Sequence, residues 1–207
     1  MILMLLTIAA TDNGCLLSWA TSFALPEEHL LKKNTLLTTL DTLTKEWKVS
    51  FEFKPSSFTN KAWAQVLQLT IGGKSGNIGD RTPALWIHPK SKGVYVVTTL
   101  NGKANVAKHF PKMKPPLHTW TPVELSQAKR GSKFMFSLIM QGKTVWTVEN
   151  TEPREFSDVK VFASSRWNVA QAGSIRGFKI ENMMPGKSKL SYVELYMILF
   201  SFDSTME

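Results

Sequence analysis

The residues with the clearest capacity for chemistry lie in two polar segments, 77–88 and 164–168. An indole ring can stack on the flat face of a ligand such as a sugar ring, and arginine donates paired hydrogen bonds to carboxylates. These residue types favour binding of a ligand over its chemical conversion. The candidate binding residues are Asn77, Asp80, Arg81, Trp86, His88, Arg166, Trp167 and Asn168.

The side chains with most binding potential each have a structural alternative. Arg81 can contact an anion or glycan, or pair with a carboxylate and pin its loop. The alternation in PALWIH places Trp86 and His88 on one face of a strand. If that face is open, Trp86 stacks on a ligand; if it is covered, Trp86 belongs to the core. Trp167 is either an exposed stacking residue or a packing residue, and the sequence leaves these alternatives open.

Patterns that enzymes require are missing from the sequence. The acidic residues are scattered, whereas glycoside hydrolysis needs two carboxyl groups flanking the scissile bond. No GxSxG motif occurs, and the four histidines lack zinc-ligand spacing. The segment 73–76, GKSG, is only a fragment of a phosphate-binding loop. We therefore predict a protein without catalytic activity.

A metal site has one weak candidate in the glycine-rich loop. Asn77, Asp80 and nearby backbone carbonyls supply oxygen atoms there. Calcium takes six to eight oxygens, usually with more than one carboxylate. We predict no cofactor, with calcium in this loop as the alternative.

The elements that position these residues have the periodicity of strands. In WKVSFEFK the apolar residues Trp47, Val49, Phe51 and Phe53 alternate with polar ones. Asn101-Gly102 is a strong hairpin-turn signal, and Gly177 predicts a bulge. Roughly ten such runs with turn residues between them predict an all-β, antiparallel jelly-roll β-sandwich.

The ends of the chain differ from this pattern. Residues 1–24 contain an apolar run and small residues before Leu25, which predicts a signal peptide. No basic residue precedes the run, and the alternative is an N-terminal extension of the domain. Residues 25–182 form the predicted domain, and 183–207 are a tail of unassigned structure. Pro26 and the acidic pair after it suggest one or two helical turns. No apolar run is long enough to predict a transmembrane segment.

Charge and cysteine content narrow the partners. The 207 residues carry a formal net charge of +9, spread over many turns without a block of like charges. This distribution predicts a basic surface, with anionic polymers as candidate partners. It predicts no nucleic-acid partner, because no RNA-binding motif concentrates the charge. Cys15 is the single cysteine, so the chain has no internal disulfide.

The order of strands and turns from Leu36 to Asn182 resembles the laminin-G-like branch of the concanavalin A-like lectin/glucanase superfamily. The stretches that carry the resemblance are EWKVSFEFKPSSF, VLQLTIGG, GDRTPALWIH, the run from Trp120 to Gln127, DVKVFASSRW and GSIRGFKIEN. The resemblance implies an extracellular jelly-roll module that binds glycans or proteins, in some members with calcium at the rim.

We therefore expect a secreted, non-enzymatic recognition module for carbohydrate or extracellular protein. The binding site is expected at one end of the sandwich, where the 73–81 loop and the 164–168 loop meet. The alternative is a structural or adhesive extracellular-matrix component that binds acidic polymers through its basic surface.

Overall fold

The structure, a computed structural model, describes residues 8–9, 17–58 and 62–185. All regular elements in these ranges are β-strands. In chain order the strands are β1 (Ile8–Ala9), β2 (Leu17–Leu25), β3 (His29–Leu30), β4 (Thr35–Leu43), β5 (Trp47–Pro55), β6 (Ala64–Thr70), β7 (Ala84–Ile87), β8 (Val94–Leu100), β9 (Lys103–Phe110), β10 (Thr121–Arg130), β11 (Lys133–Met140), β12 (Lys143–Asn150), β13 (Phe156–Ala163), β14 (Val169–Ala170) and β15 (Gly173–Pro185).

The chain divides into two compact units. The smaller unit comprises 1–20 and 183–207, and in it β1 pairs antiparallel with Leu17 and Ser18 at the start of β2. The larger unit, Thr21–Asn182, contains the two sheets that surround the core.

The larger unit is a sandwich of two sheets. The first sheet has the order β2-β15-β5-β10-β11-β12, with β3 paired to β15. The second sheet has the order β4-β13-β6-β7-β8-β9, with β14 beside β6. Neighbouring strands along β5-β10-β11-β12 and along β4-β13-β6-β7-β8-β9 pair antiparallel, whereas β14 pairs parallel with β6. The predicted all-β sandwich is confirmed.

Apolar alternation builds the core between the sheets. In β5 the buried positions are Trp47, Val49, Phe51 and Phe53, while the residues between them are half-buried. This is the pattern of a strand with one face against a core. Trp47 packs edge-on against Phe136 of β11, with ring centroids 6.1 Å apart.

A bulge in β15 sends an aromatic ring into this core. The pairing of β15 with β5 shifts register between Arg176 and Lys179, and Gly177 has φ +57°. Glycine adopts this left-handed conformation without steric cost. The bulge predicted at Gly177 is confirmed, and it leaves Phe178 buried beside Phe51, with ring centroids 5.9 Å apart.

The helical turns predicted after Pro26 are wrong. His29 and Leu30 form β3, which pairs with Ser174 and Ile175 of β15. Backbone pairing with a neighbouring strand overrides the weak local helix signal of Pro26 and the acidic residues after it.

The structure describes only parts of the two ends of the chain, 1–24 and 183–207, for which the sequence predicted separate segments. Leu17–Leu25 forms β2, and Ser22 Oγ accepts a hydrogen bond from the Asn182 amide at 3.0 Å. The signal peptide at 1–24 stays a prediction. Most of the tail, 186–207, lies outside the described residues. In the described ranges we find no helix with the length and apolarity that a membrane crossing requires.

The central strands of the second sheet are buried on both faces. Every residue of β6 and β7 is buried, whereas β5 of the first sheet is buried at alternate positions only. The inner face meets the core, and two loops cover the outer face. Gln68 Nε2 donates to the Asp80 carbonyl at 3.0 Å, and Asn168 Nδ2 donates to Gln65 Oε1 at 2.7 Å. Of the candidate binding residues, Trp86 lies on β7 and His88 directly follows it, while the others lie in these two loops.

Candidate functional site

A pocket of about 220 Å³ lies on the outer face of the second sheet. Its walls come from the loop before β6, the loop before β7, strands β7 and β8, and the loop before β14. The lining residues are Trp63, Arg81, Trp86, Tyr95, Val97 and Asn168.

Two lining residues, Trp86 and Tyr95, belong to a row of side chains that crosses four neighbouring strands. Gln65, Trp86, Tyr95 and His109 lie directly opposite one another on β6, β7, β8 and β9. Residues opposite each other in an antiparallel pair place their side chains on the same face. This register therefore collects two aromatic rings, an imidazole and an amide on one surface.

Trp86 belongs to a small apolar cluster that is separate from the main core. It packs with Ala84, Val97 and Tyr95 on the outer face, and 3% of its surface is exposed. Its neighbours in β7, Leu85 and Ile87, point into the main core. Trp86 is thus packed in this cluster and also borders the pocket.

Trp63 forms an exposed aromatic wall. Its indole is 39% exposed and stands edge-on to Tyr95 at 4.6 Å and to His88 at 4.8 Å between ring centroids. An indole fixed on two sides and open on another offers apolar contact at little conformational cost.

His88 supports Trp63 from outside the pocket. Its imidazole stacks on that of His109 with centroids 4.2 Å apart. His88 Nδ1 accepts hydrogen bonds from the N–H groups of Lys90 and Ser91, at 3.3 and 3.2 Å. The pKa of His88 is lowered mainly by burial. Coulombic interactions with His109, Lys90 and Lys92 lower it further.

Arg81 supplies positive charge at the pocket wall. Its guanidinium carbon lies 5.0 Å from the centroid of the Trp86 ring, and Nη1 donates to Asn105 Oδ1 at 3.2 Å. No described carboxylate lies within ion-pair distance of this guanidinium. Burial lowers the pKa of Arg81, and Coulombic interactions with Tyr95 and Asp80 act against that shift. Arginine remains charged under all ordinary conditions.

Asn168 is held by a buried hydrogen-bond network. Its Nδ2 donates to Gln65 Oε1 at 2.7 Å, and Gln65 Nε2 donates to Gln68 Oε1 at 3.1 Å. Ser165 Oγ donates to the same Gln68 oxygen at 3.0 Å, while Gln68 Nε2 donates to the Asp80 carbonyl at 3.0 Å. Gln68 therefore joins the two loops that the sequence suggested would meet, although they meet over the outer face of the second sheet and not at one end of the sandwich as expected.

Asp80 and Asn77 build the loop and do not line the pocket. The Asp80 side chain is buried, and its Oδ2 accepts a hydrogen bond from the Asn77 N–H at 2.9 Å. The absence of a side chain at Gly73 leaves room for this carboxylate, because an added Cβ there would overlap it. In the described part of the chain, no three His, Cys, Asp or Glu side chains group to hold a metal ion.

The structure brings three of the sequence candidates together, namely Arg81, Trp86 and Asn168. Trp167 is half-buried and Arg166 is exposed, and neither is among the residues that line the pocket. The Trp167 N–H donates to Ser165 Oγ at 3.0 Å, which fixes the turn that presents Asn168.

Sequence reasoning missed Trp63, Tyr95 and Val97. The alternation in GVYVVTT puts Tyr95 and Val97 on one face, but only the pairing of β8 with β7 places them beside Trp86. Trp63 precedes β6 and reads as the first residue of a buried strand. The one indication in the sequence that Trp63 lies at a boundary is the change there from the polar residues 60–61 to apolar residues.

Comparisons with known proteins define the fold and leave the family open. No family model matches the sequence, and no curated protein sequence is significantly similar to it. The receptor-binding domain of botulinum neurotoxin D has a TM-score of 0.50 at 15% identity, over 94% of this chain and 48% of that one. For the serotype G binding domain the TM-score is 0.50 at 9% identity, over 95% and 49%.

A third solved structure is leech intramolecular trans-sialidase, complexed with 2,7-anhydro-Neu5Ac. Its TM-score is 0.50 at 12% identity, over 83% of this chain and 28% of that one. This chain thus spans about half the length of the toxin domains and less of the trans-sialidase. At these identities the likeness establishes a shared β-sandwich fold.

Proposed function

We propose that this protein is a secreted, non-enzymatic recognition module that binds carbohydrate in the pocket between Trp63, Arg81 and Asn168. The observation that carries the proposal is the combination of an exposed, fixed indole with polar donors in one small pocket. Ligand sites typically join apolar and aromatic walls with a few convergent polar groups.

The chemistry of the pocket suits a sugar ring. A pyranose has apolar C–H faces that can lie on Trp63, and hydroxyl groups around its edge that accept from Arg81 or pair with Asn168. The pocket volume of about 220 Å³ is below the roughly 300–1,000 Å³ of sites for drug-sized ligands. It therefore suits one or two sugar units at the end of a chain.

The pocket is poorly equipped for catalysis. Its described lining contains no carboxylate, thiol or serine hydroxyl. Glycosidic bond cleavage commonly uses a pair of carboxyl groups, and acyl transfer uses an activated nucleophile. These features favour retention of a ligand without turnover. The proposal includes no resident cofactor or calcium, so EDTA is expected to leave binding unchanged.

The solved structures with this fold add support of a general kind. Two are named as binding domains of botulinum neurotoxins, one of them a receptor-binding domain, and the trans-sialidase is complexed with 2,7-anhydro-Neu5Ac. The laminin-G-like resemblance points to the same class of extracellular recognition modules. These likenesses favour carbohydrate over extracellular protein as the ligand.

A glycan array at two salt concentrations tests the proposal. Wild type, Trp63→Ala and Trp167→Ala are compared at about 0.15 M and about 1 M salt, where the screening length falls from about 8 to about 3 Å. We expect selective binding that survives high salt, is lost in Trp63→Ala and is retained in Trp167→Ala. Trp167 is the matched control because it lies near Asn168 but outside the pocket lining.

Two results would contradict the proposal. Absence of glycan binding rejects it, as does selective binding that Trp63→Ala leaves intact. Binding of all polyanions alike, with loss at high salt, would instead favour the adhesive function suggested by the net charge of +9.

Secretion is tested separately. If residues 1–24 are a signal peptide, protein recovered from the medium of expressing eukaryotic cells begins at Leu25. Secreted protein that retains Phe23 would show that the β2 residues packed near Phe178 belong to the mature chain.

A further inference from the structure

The strongest unused feature of the pocket is the unsatisfied edge of Arg81. Its Nε is buried and has no hydrogen-bond partner, and Nη2 makes no hydrogen bond to any described residue. Nη1 alone is paired, with the neutral amide of Asn105. Buried donors without partners are uncommon in native structures and each is costly.

Protein groups near Arg81 leave its charge unbalanced. The Asp80 carboxylate, next to it in sequence, accepts the Asn77 N–H within the loop. Asn105 is uncharged, and the face of Trp86 offers only a cation-π contact at 5.0 Å. A half-buried guanidinium with no acidic partner among the described residues attracts an anion.

Neighbouring contacts hold Arg81 at the pocket. Thr82 N donates to the Leu69 carbonyl at 3.0 Å, and Gly79 N donates to Thr99 Oγ1 at 3.1 Å. The loop is therefore anchored on both sides of Arg81, and the guanidinium is kept against the ring of Trp86.

The free edge has the geometry of a carboxylate receptor. Nε and Nη2 lie along one edge of the planar guanidinium, where they can donate two parallel hydrogen bonds that match the two oxygens of a carboxylate. Hydroxyl groups of a neutral sugar match this fork less well, because each presents a single oxygen and carries no charge. The edge therefore selects among sugars by their charge.

We infer that the ligand of this pocket is a terminal acidic sugar whose carboxylate binds the Nε and Nη2 groups of Arg81 while its ring lies against Trp63. The inference rests on the proposed carbohydrate function and specifies its ligand class. Uronic acids and sialic acids both have the required carboxylate on a pyranose ring, and the experiment distinguishes them.

The first measurement uses the wild-type protein and therefore does not depend on a variant folding. Calorimetric titrations compare N-acetylneuraminic acid with its methyl ester, and glucuronic acid with glucose. We expect one of the acids to bind at least about tenfold more tightly than its neutral counterpart, as loss of a charge-assisted pair predicts. The acid that shows this preference identifies the sugar class.

The second measurement removes the charge at matched positions. Arg81→Gln is expected to weaken binding of the preferred acid by about tenfold or more, and Arg81→Lys to restore it only in part, because lysine keeps the charge without the fork. Arg166→Gln is the control, since it removes the same charge from an exposed residue of the neighbouring loop that does not line the pocket.

The outcomes separate this inference from the proposed function. Equal binding of acids and neutral counterparts, with loss in Trp63→Ala, overturns the acidic ligand and keeps carbohydrate binding. Equal losses in Arg81→Gln and Arg166→Gln overturn the inference in favour of diffuse charge. Binding of polyglutamate through Arg81 without any sugar binding overturns both, as does the absence of all binding.

Discussion

The imidazole rings of His88 and His109 stack at 4.2 Å between centroids, and the edge of Trp63 meets the His88 ring at 4.8 Å. His109 also contacts Ser91 Oγ through Nε2 at 2.8 Å. The exposed wall of the pocket thus packs against this stacked pair. Protonation of His88 places a positive charge beside Lys90 and Lys92.

Acidification is therefore expected to reduce stability through His88. Its pKa in the folded protein is lowered from the ordinary value of 6.5, by burial first and then by nearby positive charges. Below pH 6.5 the unfolded state binds more protons at this site than the folded state does. The contribution of neutral His88 to the free energy of unfolding is fully present above pH 6.5. It is lost as the pH falls through the pKa of His88 in the folded protein.

Urea unfolding between pH 8 and pH 5, values that bracket the histidine range, measures this effect. We expect His88→Asn to reduce the loss of stability on acidification relative to wild type. His118→Asn is the control, because His118 is exposed and lies outside the stack. Its φ of +57° is one that asparagine tolerates. Equal pH dependence in wild type and His88→Asn would contradict the assignment.

Gly73→Ala is expected to weaken ligand binding without touching the pocket. An added Cβ would collide with the Asp80 carboxylate, which is buried and bonded to the Asn77 N–H. The loop must then shift, and Arg81 shifts with it. We expect a stability loss of about 1–3 kcal/mol, typical of overpacking, measured by urea unfolding, together with weaker binding on the array. Lys74→Ala, in the same exposed loop, should change neither property.

Gln68→Leu tests the connection between the two loops. The substitution keeps the size of the side chain but leaves Ser165 Oγ and the Asp80 carbonyl without their partner. We expect a loss of about 1–3 kcal/mol for the unsatisfied groups and a fall in ligand affinity. Gln127→Leu is the control, since Gln127 is also buried, bonded to Lys45 and Asn150, and distant from the pocket lining. If Gln68→Leu keeps full ligand affinity, the two loops hold their positions without the hydrogen bonds of Gln68.

Phe178→Ala is expected to destabilise the sandwich by about 3–5 kcal/mol, the usual cost of emptying a phenylalanine site. Phe178 is 1% exposed and contacts Phe51 and Phe23. Chemical denaturation measures the change, and Leu117→Ala, at a residue that is 42% exposed, provides a surface reference. A loss below about 1 kcal/mol, the value for a surface change, would mean that the bulge at Gly177 does not seat this ring as described.

The fold was largely predictable because its signals are local. The alternation from Trp47 to Phe53 and the turn at Asn101-Gly102 depend on residues close in sequence, and the structure contains both features. The helical turns predicted near Pro26 failed because pairing with β15 decides the conformation of His29 and Leu30.

The pocket was only partly predictable because its register is not local. Arg81 and Asn168 follow from polar residues in two loops, but the alignment of Gln65 with Trp86 depends on a register shift between Gln65 and Leu67. The sequence around Trp63 and Trp167 likewise does not show which of the two lines a pocket. Tertiary packing decides that Trp63 lines the pocket and that Trp167 does not.

The network through Gln65 and Gln68 also bears on how quickly a ligand can bind. Asn168 and the backbone at Asp80 are already in place before a ligand arrives. Little conformational entropy is then lost when the complex forms, since the polar groups need no ordering. Weak affinity for a single sugar would therefore reflect fast dissociation more than slow association. Several copies of the protein on one surface would bind a surface with many sugars much more tightly than one copy binds one sugar.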